Sequence, residues 1–464
     1  MRRVFLLHGG IMDKIRKVFM DKVFLKSLLI IAFPIALQNL ITSSLNMIDT
    51  LMISSLGQTS IAAVGLANQL FFFYILITFG INSGSSIFIS QYYGKNDIVS
   101  IRTILGLALT LSIGVALIFN VIALFFPEFI MGIFIDEAQV IAQGSQYLRL
   151  ISFSYLATAI SFSLGIALRS TGRPNVPMVA SAISFVTNTL LNYIMIFGKL
   201  GFPALGVQGA ALATLIARLV EAFMLIYAIY SAKGILAASL KELLGWQKDF
   251  VFKYLKTTYP VIMTEAGWAL GQVMYNIAYA RIGEQATAAV QLTITIQNIF
   301  FVVVRGLANA STVMIGNKIG SEGEEAAYKD AFKFMTLATI LGVVLGLIMF
   351  LTPDITLMFF TGIDHALYEV ARNMLVVMAI TFPIRVFTTV GIVGILRGGG
   401  DTAFTMKLDL STVWLVGVPL AFIGVYLFKL PVYYLYLLIS VEELFKLVFM
   451  IPRMRSKKWI KNIT

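Results

Sequence analysis

Acidic, amide and hydroxyl side chains recur at helical intervals inside stretches that are otherwise apolar. Asn39, Thr42, Asn46 and Asp49 are spaced 3, 4 and 3 residues apart, which sets them on one face of a helix. Ser181, Ser184, Asn188 and Asn192 form a second stripe spaced 3, 4 and 4. Glu265, Trp268, Gln272, Tyr275 and Tyr279 form a third. One carboxylate among amide oxygens in a low-dielectric pocket suits a monovalent cation or a proton, because a desolvated carboxylate needs one or the other beside it. Asp49 with Asn188 and Asn192 is therefore the candidate cation-coupling group, with Na+ at Asp49 as one form of it. Trp268 beside Glu265 offers an aromatic face to an organic cation, and the remaining stripe residues, Asn39, Thr42, Asn46, Gln272, Tyr275 and Tyr279, are candidates to line the same path. Arg218 and Glu221 are three residues apart and within reach of an intrahelical ion pair. Arg305 and Arg385 lie in apolar stretches without an evident partner. Contact with an anion, locking of a gate and snorkelling are all open for them.

These stripes need elements that hold them in place, and the composition says what those are. The chain is 59% hydrophobic and 12% charged, with a mean hydropathy of +0.89; a soluble domain carries about 25% charged residues. Twelve stretches between residues 25 and 452 are long enough to cross a hydrocarbon core at roughly 20 residues each. The expected fold is an all-α membrane protein of twelve transmembrane helices, with the lipid bilayer as its surroundings. A carboxylate facing lipid is costly, so each polar stripe must turn inward. At 1.5 Å of rise per residue, Asp49 and Asn192 both fall roughly 10 Å below the outer surface, where they can converge.

The net charge of +12 reports topology. One set of alternate loops holds only Lys199, Arg281 and Lys429, while the other set and both tails carry most of the Lys and Arg. This asymmetry puts both termini in the cytoplasm of a cell with the protein in its inner (plasma) membrane, and it argues against a nucleic-acid partner. The N-terminal segment has too short an apolar run for a signal peptide, and Met12 is an alternative start. With no Cys and only His8 and His365, there is no disulfide, no thiolate metal site and little scope for histidine chemistry. No catalytic set appears, and no cofactor is called for beyond a coupling ion.

The run VGILRGGGDT, ending at Thr402, lacks the spacing of a nucleotide-binding loop. It repeats LGIALRSTGRP at a shift of 228, placing Arg169 on Arg397 and Gly172 on Gly400. Both are expected to be tight cytoplasmic corners with Arg169 and Arg397 anchoring that face. A shift of 226 aligns the start of each half: Pro34 on Pro260, Gly57 on Gly283, Gly80 on Gly306 and Gly94 on Gly320. The domain reading is thus an N-terminal tail (1–24), a six-helix lobe (25–232), a linker with room for a short helix (233–250), a second six-helix lobe (251–452) and a C-terminal tail (453–464). Six helices per half relate the lobes by a pseudo-two-fold along the membrane normal, the plan of a transporter.

FPIALQNLITSSLNMIDTLMISSLG, its repeat PVIMTEAGWALGQVMYNIAYARIG, the segment NTLLNYIMIFGKLGFPALGVQGAALAT and the two LR-x-x-G corners together resemble the multidrug and toxic compound extrusion (MATE) family over about residues 20–455. The resemblance implies two six-helix lobes arranged as a V and export of cationic, often aromatic small molecules in exchange for sodium ions or protons, by a functional monomer. Asp49 matches the family's first-helix acid and Glu265 its seventh-helix glutamate. Asn188 and Asn192 match a pair that in many members is Asn followed by Asp, so one carboxylate is missing here. Several members carry an acid on the tenth helix where this chain has Val386, so no acid pair is expected in the second lobe. The reading is an ion-coupled antiporter that bends at Pro34; the alternative is a lipid-linked oligosaccharide flippase of related plan, which calls for a strongly cationic cavity.

Overall fold

A computed structural model of the protein describes residues 18–360 and 364–464; His8 and Met12 lie outside them. The described residues form helices joined by short turns, with no strand among them. Twelve long helical stretches follow one another: α1 Lys22–Ser54, α2 Gln58–Gly94, α3 Ile98–Phe125, α4 Ala138–Ile151 continued by Phe153–Ser170, α5 Asn175–Phe197, α6 Val207–Ser231, α7 Lys248–Ile282, α8 Glu284–Ser321, α9 Glu324–Leu351, α10 His365–Leu396, α11 Thr402–Tyr426, and α12 Val432–Ile439 continued by Val441–Arg455.

Among the described residues nine of these are each long and apolar enough to cross a membrane, and α4 makes a tenth span through a 46° bend. The other two, α7 and α12, carry more charge: Lys253, Lys256 and Glu265 on one, Glu442, Glu443 and Lys446 on the other. Glu265, Glu442, Glu443 and Lys446 belong to the polar cluster described below. The linker contains a one-turn helix, Leu240–Leu243, begun by Ser239 and Glu242 in a reciprocal cap. Arg102 at the start of α3 pairs with Glu242 at 2.5 Å.

By contacts the chain divides into two units, residues 37–262 and residues 1–36 with 263–464. The cuts fall two residues after Pro34 and two after Pro260, positions 226 apart. Each repeat therefore contributes the leading arm of its first helix to the other unit. Glycine makes this arm fit. In the unit 37–262, a Cβ on Gly80 of α2 would stand 2.8 Å from the Ile262 backbone of α7. In the other unit, a Cβ on Gly306 of α8 would stand 2.9 Å from Ala36 of α1. Gly80 and Gly306 are repeat partners, as are Ala36 and Ile262, so the coincidence of glycines in sequence has a packing cause.

The two LR corners also match. Gly172 has φ +75° and Gly400 φ +92°, the left-handed backbone that reverses the chain after a helix. They differ in what precedes that glycine. Ser170 and Thr171 stand where the second corner has Gly398 and Gly399, and a Cβ on Gly399 would lie 2.2 Å from the ring of the fully buried Trp459. The triple glycine makes room for the C-terminal segment, which is tied down where Lys461 N–H donates to Gly399 O at 2.8 Å.

Candidate functional site

In the unit 37–262 the polar centre is built on α5. Its Ser181, Ser184, Asn188 and Asn192 are all buried, on the face turned to α6. Ser184 Oγ donates to Ala217 O at 2.9 Å and Asn188 Nδ2 to Thr214 Oγ1 at 3.1 Å, which lock α5 to α6. Asn192 Nδ2 then donates both to Asn188 Oδ1 at 3.0 Å and to Asp49 Oδ1 of α1 at 2.5 Å. Asp49 is half-buried and takes part in no ion pair among the described residues. The Oδ1 of Asn192 is buried with no hydrogen-bond partner. Beside the carboxylate there is thus an orphaned amide acceptor, an expensive arrangement unless a cation or a donor uses it.

Farther along the same face, Ser181 Oγ donates to Glu221 Oε1 at 2.6 Å, and Arg218 Nη1 holds Glu221 Oε2 at 2.8 Å. Gln38 Nε2 of α1 donates to Ser181 Oγ at 2.9 Å. Of the first-helix stripe, Thr42 and Asn46 are exposed and Asn39 is half-buried, its Nδ2 enclosed without a partner. Thr42 bonds back to Gln38 O at 3.0 Å.

In the unit 1–36 with 263–464 the carboxylates Glu265, Asp409, Glu442 and Glu443 each have a basic side chain beside them. Glu265 Oε1 of α7 pairs with Arg397 Nη1 at 2.8 Å, and Arg397 is 1% exposed. On α12, Lys446 Nζ lies 3.0 Å from Glu443 Oε1, 3.5 Å from Glu442 Oε1 and 3.8 Å from Asp409 Oδ1 of α11. Tyr275 donates to Glu442, and Thr388 of α10 donates to Glu443. Arg385 Nη1 donates to Gln297 Oε1 at 2.9 Å and Tyr436 OH at 3.1 Å, with its guanidinium 5.1 Å from the Phe301 ring. Two π-helical turns, Val390–Leu396 in α10 and Val413–Gly417 in α11, flank this cluster; such bulges shift the side chains beyond them around the helix.

The MatE family profile matches residues 34–194 and 260–423, the greater part of both repeats. The chain belongs to the MatE family. Among its relatives, a probable multidrug resistance protein NorM of Thermotoga maritima is 24% identical over 445 residues, covering 94% of this chain and 93% of that protein. A crystal structure of a MATE protein in complex with MaL6 superposes with a TM-score of 0.85 at 19% identity, covering 93% and 97% of the two chains. A transporter of the MOP superfamily from Pyrococcus furiosus, described as having a binding pocket of reversed polarity, matches with a TM-score of 0.84 at 20% identity over 93% and 96%. This MatE chain is a multi-pass membrane protein with the MATE fold.

Several side chains of this MatE protein stand elsewhere than their sequence suggests. Arg397 does not anchor a cytoplasmic surface: it is buried and neutralises Glu265, so Glu265 has its cation already. Arg169, at the matching corner, is half-buried, with Nε to Gly165 O at 3.3 Å. Tyr275 and Tyr279 are buried in their own unit, 4% and 5% exposed, and do not line an open path. Trp268 is 38% exposed and keeps a free face; Gln272 is half-buried. Pro34 and Pro260 are both buried inside their helices. The second unit is rich in acids, supplied by α11 and α12 as Asp409, Glu442 and Glu443. The tenth-helix position that carries an acid in several MATE proteins is Val386 here, and three acids come from neighbouring helices. The local signal in the sequence is the three-residue spacing of Glu443 and Lys446, which permits an ion pair; their enclosure comes from the packing of α10, α11 and α12.

Proposed function

We propose that the protein is a secondary-active exporter of small organic molecules, cationic and aromatic ones among them, driven by exchange for Na+ or H+. It works as a monomer in the inner (plasma) membrane with both termini in the cytoplasm. One observation carries the coupling step: Asp49 is held by an amide, beside an orphaned amide oxygen, and has no basic side chain as partner. That donor set fits a small cation or a proton. Membership of the MatE family, and the multidrug resistance assigned to the Thermotoga relative, support the export half of the reading.

Exchange requires that ion and substrate stabilise opposite conformations, since a ligand with equal affinity for two states shifts neither. Occupation of Asp49 strengthens the α1–α5 contact through Asn192. Its release loosens that contact and lets α1 bend at Pro34, where the proline ring already removes a helical hydrogen bond. Side chains that remain open to a substrate are, taken unit by unit, Thr42 and Asn46 in the unit 37–262 and Trp268 in the unit 1–36 with 263–464. Because Glu265 is paired with Arg397, cation recognition near Trp268 rests on the aromatic face. The test is dye export from proteoliposomes with sodium and pH gradients imposed separately. The reading predicts that one gradient drives export and that Asp49→Asn abolishes the response; export indifferent to both gradients overturns it.

A further inference from the structure

Two arginines of the unit 1–36 with 263–464 are not absorbed by this reading. Arg305 lies on α8, 21 residues from its start and 16 from its end, at least about 24 Å from either along the helix. Arg385 lies about 16 Å from the nearer end of α10. Neither is placed to reach a headgroup region as a terminal arginine does. Arg385 is fixed by Gln297, Tyr436 and the ring of Phe301. Gln297, Phe301 and Arg305 follow one another at four-residue intervals on one face of α8, so Arg305 lies one turn beyond the amide and the ring that hold Arg385, and the charge of Arg385 acts on it. Among the described residues the carboxylate that also acts on Arg305 is that of Glu265, which is already taken by Arg397, while Glu442 and Glu443 act on Arg385 and are themselves held by Lys446. Among the described residues Arg305 makes no side-chain hydrogen bond or ion pair, and it is exposed.

A guanidinium inside the membrane region must face water or a ligand, because exposure to hydrocarbon is too costly. Two guanidiniums that feel each other's charge raise each other's energy unless an anion stands between them, and their planar forks suit a carboxylate or sulfonate. Phe301 and Tyr436 add flat apolar surface alongside. We infer that Arg305 and Arg385, with Phe301, Gln297 and Tyr436, form a subsite for the anionic group of an aromatic amphiphile, so that the protein accepts zwitterionic substrates in preference to plain cations. Why such a molecule would be present rests on the export reading, but the site itself is testable by binding alone.

Full-length protein in phosphatidylcholine nanodiscs is titrated with rhodamine B, which carries a free carboxylate, and with rhodamine B ethyl ester, the same cation without the anion. Anisotropy reads Kd for each. Rhodamine B is expected to bind about tenfold more tightly, the equivalent of one charged hydrogen bond. In Arg305→Gln the ratio of the two Kd values falls to about one, and in Arg305→Lys part of the preference returns. Equal affinity for the two dyes in the unaltered protein overturns the inference, as does a preference that survives both Arg305→Gln and Arg385→Gln. Adding phosphatidylglycerol to the nanodiscs separates the sources of the anion: competition that depends on Arg305 assigns the subsite to a lipid headgroup, and no competition assigns it to the soluble amphiphile. Should Arg305→Gln fail to fold, the Arg305→Lys ratio decides: a reduced preference supports the subsite, and a preference equal to that of the unaltered protein overturns it. Export can fail in vesicles while this ratio holds, so the two readings fall separately.

Discussion

The two repeats place a basic side chain at the same point and surround it differently. Arg218 of α6 and Lys446 of α12 are 228 residues apart, the shift that relates the two LR corners. Ser181 and Asp409 are related by the same shift, as are Thr214 and Glu442. In one unit Arg218 meets Glu221, itself bonded by Ser181. In the other, Lys446 meets Asp409, Glu442 and Glu443. The cation–carboxylate pair is therefore common scaffold. What differs is the first helix of each repeat: Asp49 has Tyr275 as its counterpart, and Tyr275 is satisfied by Glu442. Between these two positions, Asp49 presents a carboxylate without an ion-pair partner among the described residues and Tyr275 does not, which is the ground on which the coupling ion is proposed at Asp49.

The contrast can be broken most directly at Asp49. Asp49→Asn keeps the shape and removes the charge, and gradient-driven export in proteoliposomes should fall by about two orders of magnitude, as loss of an ion contact worth roughly 3 kcal/mol implies. Unfolding of that variant should change little, because no internal base is stranded. The matched unit behaves the opposite way. Arg397→Met leaves Glu265 enclosed without its cation and should cost about 3–5 kcal/mol in equilibrium unfolding in mixed micelles; the double variant with Glu265→Gln should recover most of that. Lys446→Met should cost about 3 kcal/mol by the same rule, and Arg218→Met only about 1–2 kcal/mol, because Ser181 still bonds one oxygen of Glu221. Equal losses at Arg218 and Lys446 would erase the distinction between the two clusters. The smallest effect tests the repeat itself: Gly80→Ala and Gly306→Ala should each destabilise by about 1 kcal/mol through overpacking, and a large inequality between them would show that the exchanged arms do not fit alike.

Much of this was legible in the sequence, for identifiable reasons. Hydropathy sets the helices and the fixed shift sets the repeat, so twelve helical stretches follow from composition alone. The α5 stripe was complete because every one of its polar residues lies on the buried face. On α1 the contact to Ser181 comes from Gln38, outside the Asn39, Thr42, Asn46 and Asp49 stripe, because Gln38, Leu45 and Asp49 lie at helical spacing on one face. The bond from Glu265 to Arg397 joins residues 132 apart, and nothing local couples them. Arg397, set before three glycines at the end of a span, reads as a surface anchor until the glycines prove to seat Trp459. The acids of α12 resemble a solvated helix face, and only the packing of α10, α11 and α12 shows them enclosed.

The lending of each leading arm to the opposite unit bears on ancestry. A single six-helix chain ending near the linker would have its own arm unmatched and a glycine-floored groove unfilled, and two such chains could satisfy both by reciprocal donation. Gene fusion would then have changed covalent continuity while leaving every one of those contacts in place, and halves of the present gene, synthesised as separate polypeptides, would be expected to reassemble.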